Sequence, residues 1–240
     1  MDQMYQISTL QALLRGYFTG VTTAGELLRH GEIGLGTFQD VNGEMIVLDR
    51  RVYRADAGGH VTEADPAEGI PFAAVAFMKE AKEFRISASR SLEDIRKQLD
   101  LAIDGDFGLN SMYAVRIDGF FPMIKARSES GMHSRYVELK KVLETTQKDF
   151  LFENVSGTIV CLYFPDYMHG INAAGWHFHF ISDDRRLGGH VFDAECGEVN
   201  AKRCQLHNIE IRLPSDKAYD VYDLKAVSDE DVKKVEQQPS

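Results

Sequence analysis

Apolar and polar residues change their spacing several times along the chain, and each change predicts a different element. A short amphipathic helix is expected from Ser8, placed as its N-cap, to about Arg15, and a second one over Thr23 to His30. From residue 33 to 88 the pattern becomes short strands, at 33–38, 44–49, 51–56, 74–78 and 83–87, separated by Gly and Asp. Ser91 then opens a helix with Leu92, Ile95, Leu99 and Ile103 on one face. Two strands follow at 112–119 and 120–127, and Asp118-Gly119 between them reads as a hairpin turn. Val137 to Gln147 repeats the helical spacing through Val137, Leu139, Val142 and Leu143. After Gly157 the chain alternates almost continuously, at 158–164, 175–182, 189–195 and 204–213. This is an α+β chain. A boundary is expected near 145–155, dividing it into a mixed domain over 1–150 and a mostly β domain over 151–240, with Ser228-Asp229-Glu230 as the cap of a short terminal helix.

The stretch GWHFHFISDDRRLGGH at 175–190 carries the chemistry. On a strand, residues two apart share a face, so Trp176, Phe178 and Phe180 form an apolar side while His177 and His179 share the other. Their Cα atoms are then roughly 6.6 Å apart, close enough for both rings to reach one ion. Ser182 to Arg186 reads as a turn, and Gly188-Gly189 leads into a second strand that brings His190 beside the pair. Three imidazoles with an open fourth position suit a divalent metal, and imidazole ligation alone does not choose among Zn, Fe, Ni and Cu. On these residues two classes stand: a carbonic-anhydrase-like or cupin-like metalloenzyme, or a metal-dependent lyase acting on a hydroxy or keto acid. The other histidines, His207 included, read as ordinary polar residues.

Composition narrows the partners. With 27 basic against 37 acidic residues the chain carries a formal charge of −10, and no Lys/Arg cluster offsets it, which argues against nucleic acid. An anionic substrate must therefore be drawn in locally, by a metal or a placed arginine. Cys161, Cys196 and Cys204 form neither a disulfide framework nor a Cys-x-x-Cys motif and read as buried thiols of a reducing compartment. No signal peptide and no apolar run near 20 residues is present, so the expectation is a cytoplasmic chain with a small-molecule substrate and no membrane partner.

Seven blocks, in order, carry a resemblance: YQISTLQALLRGYFTG, GLGTF, NGEMIVLDRRVYRAD, YAVRIDGFF, FENVSGTIV, YMHGINAAGWHFHFIS and GGHVFD. Together they span nearly the whole chain, which resembles the α-acetolactate decarboxylases. The resemblance implies two α/β domains with the metal between them, assembled as a homodimer through the N-terminal sheet. It implies conversion of 2-acetolactate to (R)-acetoin and carbon dioxide in the butanediol branch of pyruvate metabolism. It further implies Zn2+ on His177, His179 and His190, with Glu44, Arg127 and a C-terminal glutamate as catalytic groups. The last falls on Glu236, with Glu230 as the competing position, and Thr37 of the Gly-Thr-Phe motif becomes a substrate contact. Arg127 offers a fork of donors to a carboxylate or to a developing enediolate, and a glutamate would supply the proton. A relative that kept the fold as a ligand-binding protein and lost the chemistry is the opposing reading; it predicts that at least one of these residues is missing, and none is.

Overall fold

The computed structural model describes residues 2–105, 108–132 and 137–224. Its elements in chain order are β1 (Gln3–Ile7), α1 (Leu10–Leu14), β2 (Thr22–Thr23), α2 (Ala24–Leu27), β3 (Ile33–Thr37), β4 (Glu44–Leu48), β5 (Arg51–Ala55), β6 (Val61–Glu63), β7 (Gly69–Ile70), β8 (Phe72–Ala76) and β9 (Lys82–Ile86). They continue with α3 (Leu92–Asp104), β10 (Met112–Glu129), α4 (Leu139–Thr146), β11 (Gln147–Phe164), β12 (Gly175–Ser182), β13 (Gly188–Glu195), β14 (Val199–Leu206), β15 (Asn208–Arg212) and α5 (Lys217–Asp220).

Two large sheets result. A seven-stranded sheet runs β15-β1-β8-β3-β4-β5-β6, antiparallel except for the parallel pair β1–β15. A six-stranded sheet runs β11-β12-β13-β10-β14-β9, and β11 also pairs with β10, so that β10, β11, β12 and β13 close a ring. The six-stranded sheet takes β9 and β10 from before residue 145 and β12 to β14 from after 174, while β15 crosses to the other sheet. The fold is α+β, as the alternation predicts.

The sheets pack face to face. Ile33, Leu35, Ile46 and Leu48 of one meet Met112, Ala114, Val160, Leu162 and Ile181 of the other in a shared buried layer. The outer face of the six-stranded sheet is closed by α3, whose Leu92, Ile95, Leu99 and Ile103 lie against Trp176, Phe178 and Phe180. Strand β12 therefore buries its even-numbered aromatics under α3 and turns its odd-numbered residues toward the seven-stranded sheet. Ser91 caps α3 through its side chain, as its position predicts.

Three expectations are corrected. Asp118-Gly119 makes no turn: β10 runs unbroken through it, opposite Thr158 and Gly157 of β11. Asp118 is drawn into bonds from Arg116 and Thr158, and a Cβ on Gly119 would lie 2.4 Å from Val199, so the glycine serves close strand approach. Ser8 does not cap α1; Thr9 does, accepting from Ala12 N–H at 3.2 Å, while Ser8 takes a φ of 59°. The period-two run at 204–213 is not one strand. It breaks at His207, where Asp2 accepts from the His207 and Asn208 backbone and lies 2.8 Å from the imidazole, and the chain changes sheet.

Candidate metal centre

The centre is built as a row across neighbouring strands. His179 on β12 pairs with His190 on β13, and His190 pairs with Arg127 on β10. Facing residues on adjacent strands point to the same side, so this register alone sets two imidazoles and a guanidinium side by side. The register depends on an irregularity: Lys125 opposes Asp193 but Ala126 opposes Val191, so one extra residue of β13 shifts His190 into line with Arg127. His177, two residues before His179, completes the triangle.

The three histidines are buried, and a nitrogen from each lies within 4.8 Å of the others. His177 Nε2 is 3.0 Å from His190 Nδ1, and the ring centroids stand 4.7–5.3 Å apart. His179 Nδ1 lies 2.8 Å from the carbonyl of Met45, which can only accept, so that nitrogen carries the hydrogen. The tautomer leaves the lone pair on Nε2, which makes no hydrogen bond among the described residues and faces the Glu44 carboxylate at 3.4 Å. A buried ring held by its back nitrogen, with its front lone pair aimed into a cluster of the same kind, fits a metal ligand. Burial is the main cause that lowers the His177 pKa to about 3, with the Arg127 charge acting in the same direction. His179 is held well below its ordinary value, again chiefly by burial. Both rings are thus kept neutral, the state that ligation needs.

Glu44 reaches this cluster from the seven-stranded sheet. It opens β4 after a tight loop in which Gly43 adopts a φ of 95°, and a Cβ there would lie 2.6 Å from the Ala55 carbonyl. Its carboxylate lies 3.4 Å from His179 Nε2 and 3.9 Å from His190 Nδ1. Arg127, 3% exposed, places Nη2 3.4 Å from His190 Nε2. Thr37 faces Glu44 on the adjacent strand and donates its hydroxyl to the Gly43 carbonyl at 3.0 Å. Thr37, Glu44, Arg127, His177 and His190 line one pocket, whose apolar wall is Leu13, Val41, Phe72, Leu139 and Leu143.

A model of the family described as alpha-acetolactate decarboxylase matches residues 4–226. The chain belongs to that family. An alpha-acetolactate decarboxylase of Methanosarcina mazei is 36% identical over 235 residues, covering 98% of this chain and 80% of that one. The Bacillus licheniformis alpha-acetolactate decarboxylase is 34% identical over 215 residues, 90% of this chain and 83% of that one. The crystal structure of alpha-acetolactate decarboxylase from Bacillus subtilis strain 168 superposes with a TM-score of 0.92 at 32% identity, covering 98% of this chain and all of that one.

Against this member of the alpha-acetolactate decarboxylase family, the sequence reading can be placed residue by residue. His177, His190, Glu44, Arg127 and Thr37 line one pocket, and His179 is buried beside it against Glu44. Glu236 and its competitor Glu230 lie outside the described residues. Sequence reasoning missed Glu129 and Gln147, which line the same pocket and oppose each other on β10 and β11. Glu129 is 2% exposed. The signal was available: it stands two residues beyond Arg127 on a strand, and so on the same face.

Proposed function

We propose that the chain decarboxylates 2-acetolactate to (R)-acetoin, with a zinc ion held by His177, His179 and His190. The observation that carries this is the His179–His190–Arg127 row facing Glu44 in one pocket, in a chain of this family. A divalent ion on three neutral imidazoles supplies Lewis acidity toward the oxygens of a hydroxy-keto acid. The remaining work falls to the protein. Arg127 presents a planar fork of donors, which binds the substrate carboxylate and then faces the negative charge that its loss leaves behind. Breaking the bond between the carboxyl carbon and its neighbour sends the electron pair toward the adjacent ketone, giving an enediolate and carbon dioxide. That carbon must then gain a proton on one face. Glu44, which enters the pocket from the seven-stranded sheet, is the acid assigned to it, and Glu236 is the second catalytic carboxylate that the family resemblance implies. Thr37, with its hydroxyl hydrogen committed to Gly43, offers lone pairs to the substrate hydroxyl.

The leucines, Val41 and Phe72 form a wall suited to two methyl groups and keep bulk water from the enediolate. Homodimer formation, a cytoplasmic location and a place in acetoin and butanediol synthesis belong to the same reading; no helix among the described residues is long and apolar enough to cross a membrane. The test is acetoin formation from racemic acetolactate, before and after chelation and after zinc is restored, with carbon dioxide hydration assayed in parallel. Activity lost and regained with zinc supports the proposal. Tight zinc binding without acetoin above the spontaneous rate refutes it, and hydration in that sample would assign the centre to the hydratase class.

A further inference from the structure

The carboxylate that faces the histidines follows a loop with several left-handed residues, which is held partly by its own bonds and partly by the strand that carries Arg127. Between β3 and β4 the backbone passes through left-handed values at Asp40 (φ 63°), Val41 (φ 55°) and Gly43 (φ 95°). Non-glycine residues at positive φ carry a conformational cost that surrounding contacts must offset. Some of those contacts come from the chain just after Arg127, at the end of β10 and the residues that follow it. Met132 N–H donates to the Asp40 carbonyl at 3.0 Å, and Gly131 N–H donates to Asn42 Oδ1 at 3.2 Å. Nearest the site, Glu44 N–H donates to Ser128 Oγ at 3.2 Å, and that hydroxyl donates onward to the Ala55 carbonyl at 2.8 Å. Ser128 is fully buried. Glu44 and Ala55 face each other on β4 and β5, so one hydroxyl is tied to both strands where the carboxylate enters the pocket.

We propose that Ser128 is a positioning residue for the reaction: its hydroxyl fixes the Glu44 backbone to the strand that carries Arg127, so that acid and guanidinium are set as one unit although they belong to different sheets. The proposal rests on Glu44 acting as the proton donor, as read above. A hydroxyl is needed because one atom must both accept from an N–H and donate to a carbonyl; an alanine would leave two buried backbone groups without that partner. Threonine keeps the hydroxyl and adds one methyl group.

The test uses the zinc-loaded full chain and the variants Ser128→Ala, Ser128→Thr, Glu44→Gln and the Ser128→Ala/Glu44→Gln double. Zinc content and thermal midpoint are measured beside kcat and KM. Ser128→Ala is expected to lower kcat about 10- to 100-fold with KM within about threefold and zinc content unchanged, and Ser128→Thr to restore kcat to within about threefold. In the Glu44→Gln background, Ser128→Ala should cost less than about twofold more, because the two residues act through one group. Wild-type kcat in Ser128→Ala while Glu44→Gln is slow overturns the proposal, as does a double variant in which the two losses multiply, or a loss confined to the thermal midpoint. Wild-type kcat in Glu44→Gln removes the glutamate reading itself, and Ser128 with it. If Ser128→Ala does not fold, Ser128→Cys, a weaker donor of similar size, is judged by the same outcomes.

Discussion

Acidifying the metal-free protein should destabilise it through His177 and His179. Both have folded-state pKa values below the ordinary 6.5, His177 at about 3, because burial disfavours the charged ring. A histidine depressed in this way contributes stability that is fully present above the unfolded value and is lost as pH falls from there toward the folded value. For His177, between pH 6.5 and 3 the unfolded chain binds a proton that the folded chain refuses, a slope of about 1.4 kcal/mol per pH unit. From pH 7.0 to 5.5 His177 alone removes about 1.3 kcal/mol, and His179 acts in the same direction. For a chain of this length the His177 share corresponds to a thermal midpoint lower by about 3–5 °C. The assay is calorimetry or circular dichroism on chelator-treated protein at both pH values, beside a His177→Gln/His179→Gln variant. Other titrating groups act in both proteins and drop out of the difference. The reasoning is refuted if the wild type loses no more than the double variant over that interval.

Arg127→Lys keeps the charge but loses the planar fork, and should lower kcat/KM about 10- to 100-fold with zinc content unchanged, read by steady-state kinetics and metal analysis. Phe180→Ala should cost about 3–5 kcal/mol in urea unfolding, because the ring is fully buried and packs edge-on against Phe121 at 5.8 Å. Trp176→Phe removes the 2.7 Å bond from Nε1 to Asp100 that ties β12 to α3, and should cost about 1–2 kcal/mol by the same measurement while acetoin formation persists.

Much of the site was legible because strand periodicity is local. Alternation in GWHFHFIS separates aromatics from histidines without any tertiary knowledge, and the buried cluster under α3 follows that separation. Helix α3 was legible for the same reason, with its cap and its four core positions in place. The Asp118-Gly119 turn failed because turn chemistry and close packing both select glycine, and only the neighbouring Val199 decides between them. The break at His207 was invisible since both strands keep the same alternation, and the change of sheet is set by Asp2 at the far end of the chain. The alignment of Arg127 with His190 depends on the irregularity in β13, which no spacing in the sequence records. Glu129 shares the strand face of Arg127 two residues on, and its place in the pocket is local in the same way.

The histidines lie within fourteen residues of one another on a single hairpin, whereas Arg127 stands 50 residues before His177 and Glu44 lies on the other sheet. Closing so short a loop costs little chain entropy, while joining the two sheets requires contacts far apart in sequence. The histidine hairpin is therefore local in sequence, while Glu44, Arg127 and the Met45 carbonyl that holds His179 Nδ1 reach it only through long-range contacts. Loosening one sheet from the other would leave the three imidazoles adjacent yet release the back nitrogen of His179 and withdraw the Glu44 carboxylate, so the pocket is finished only when the sheets meet.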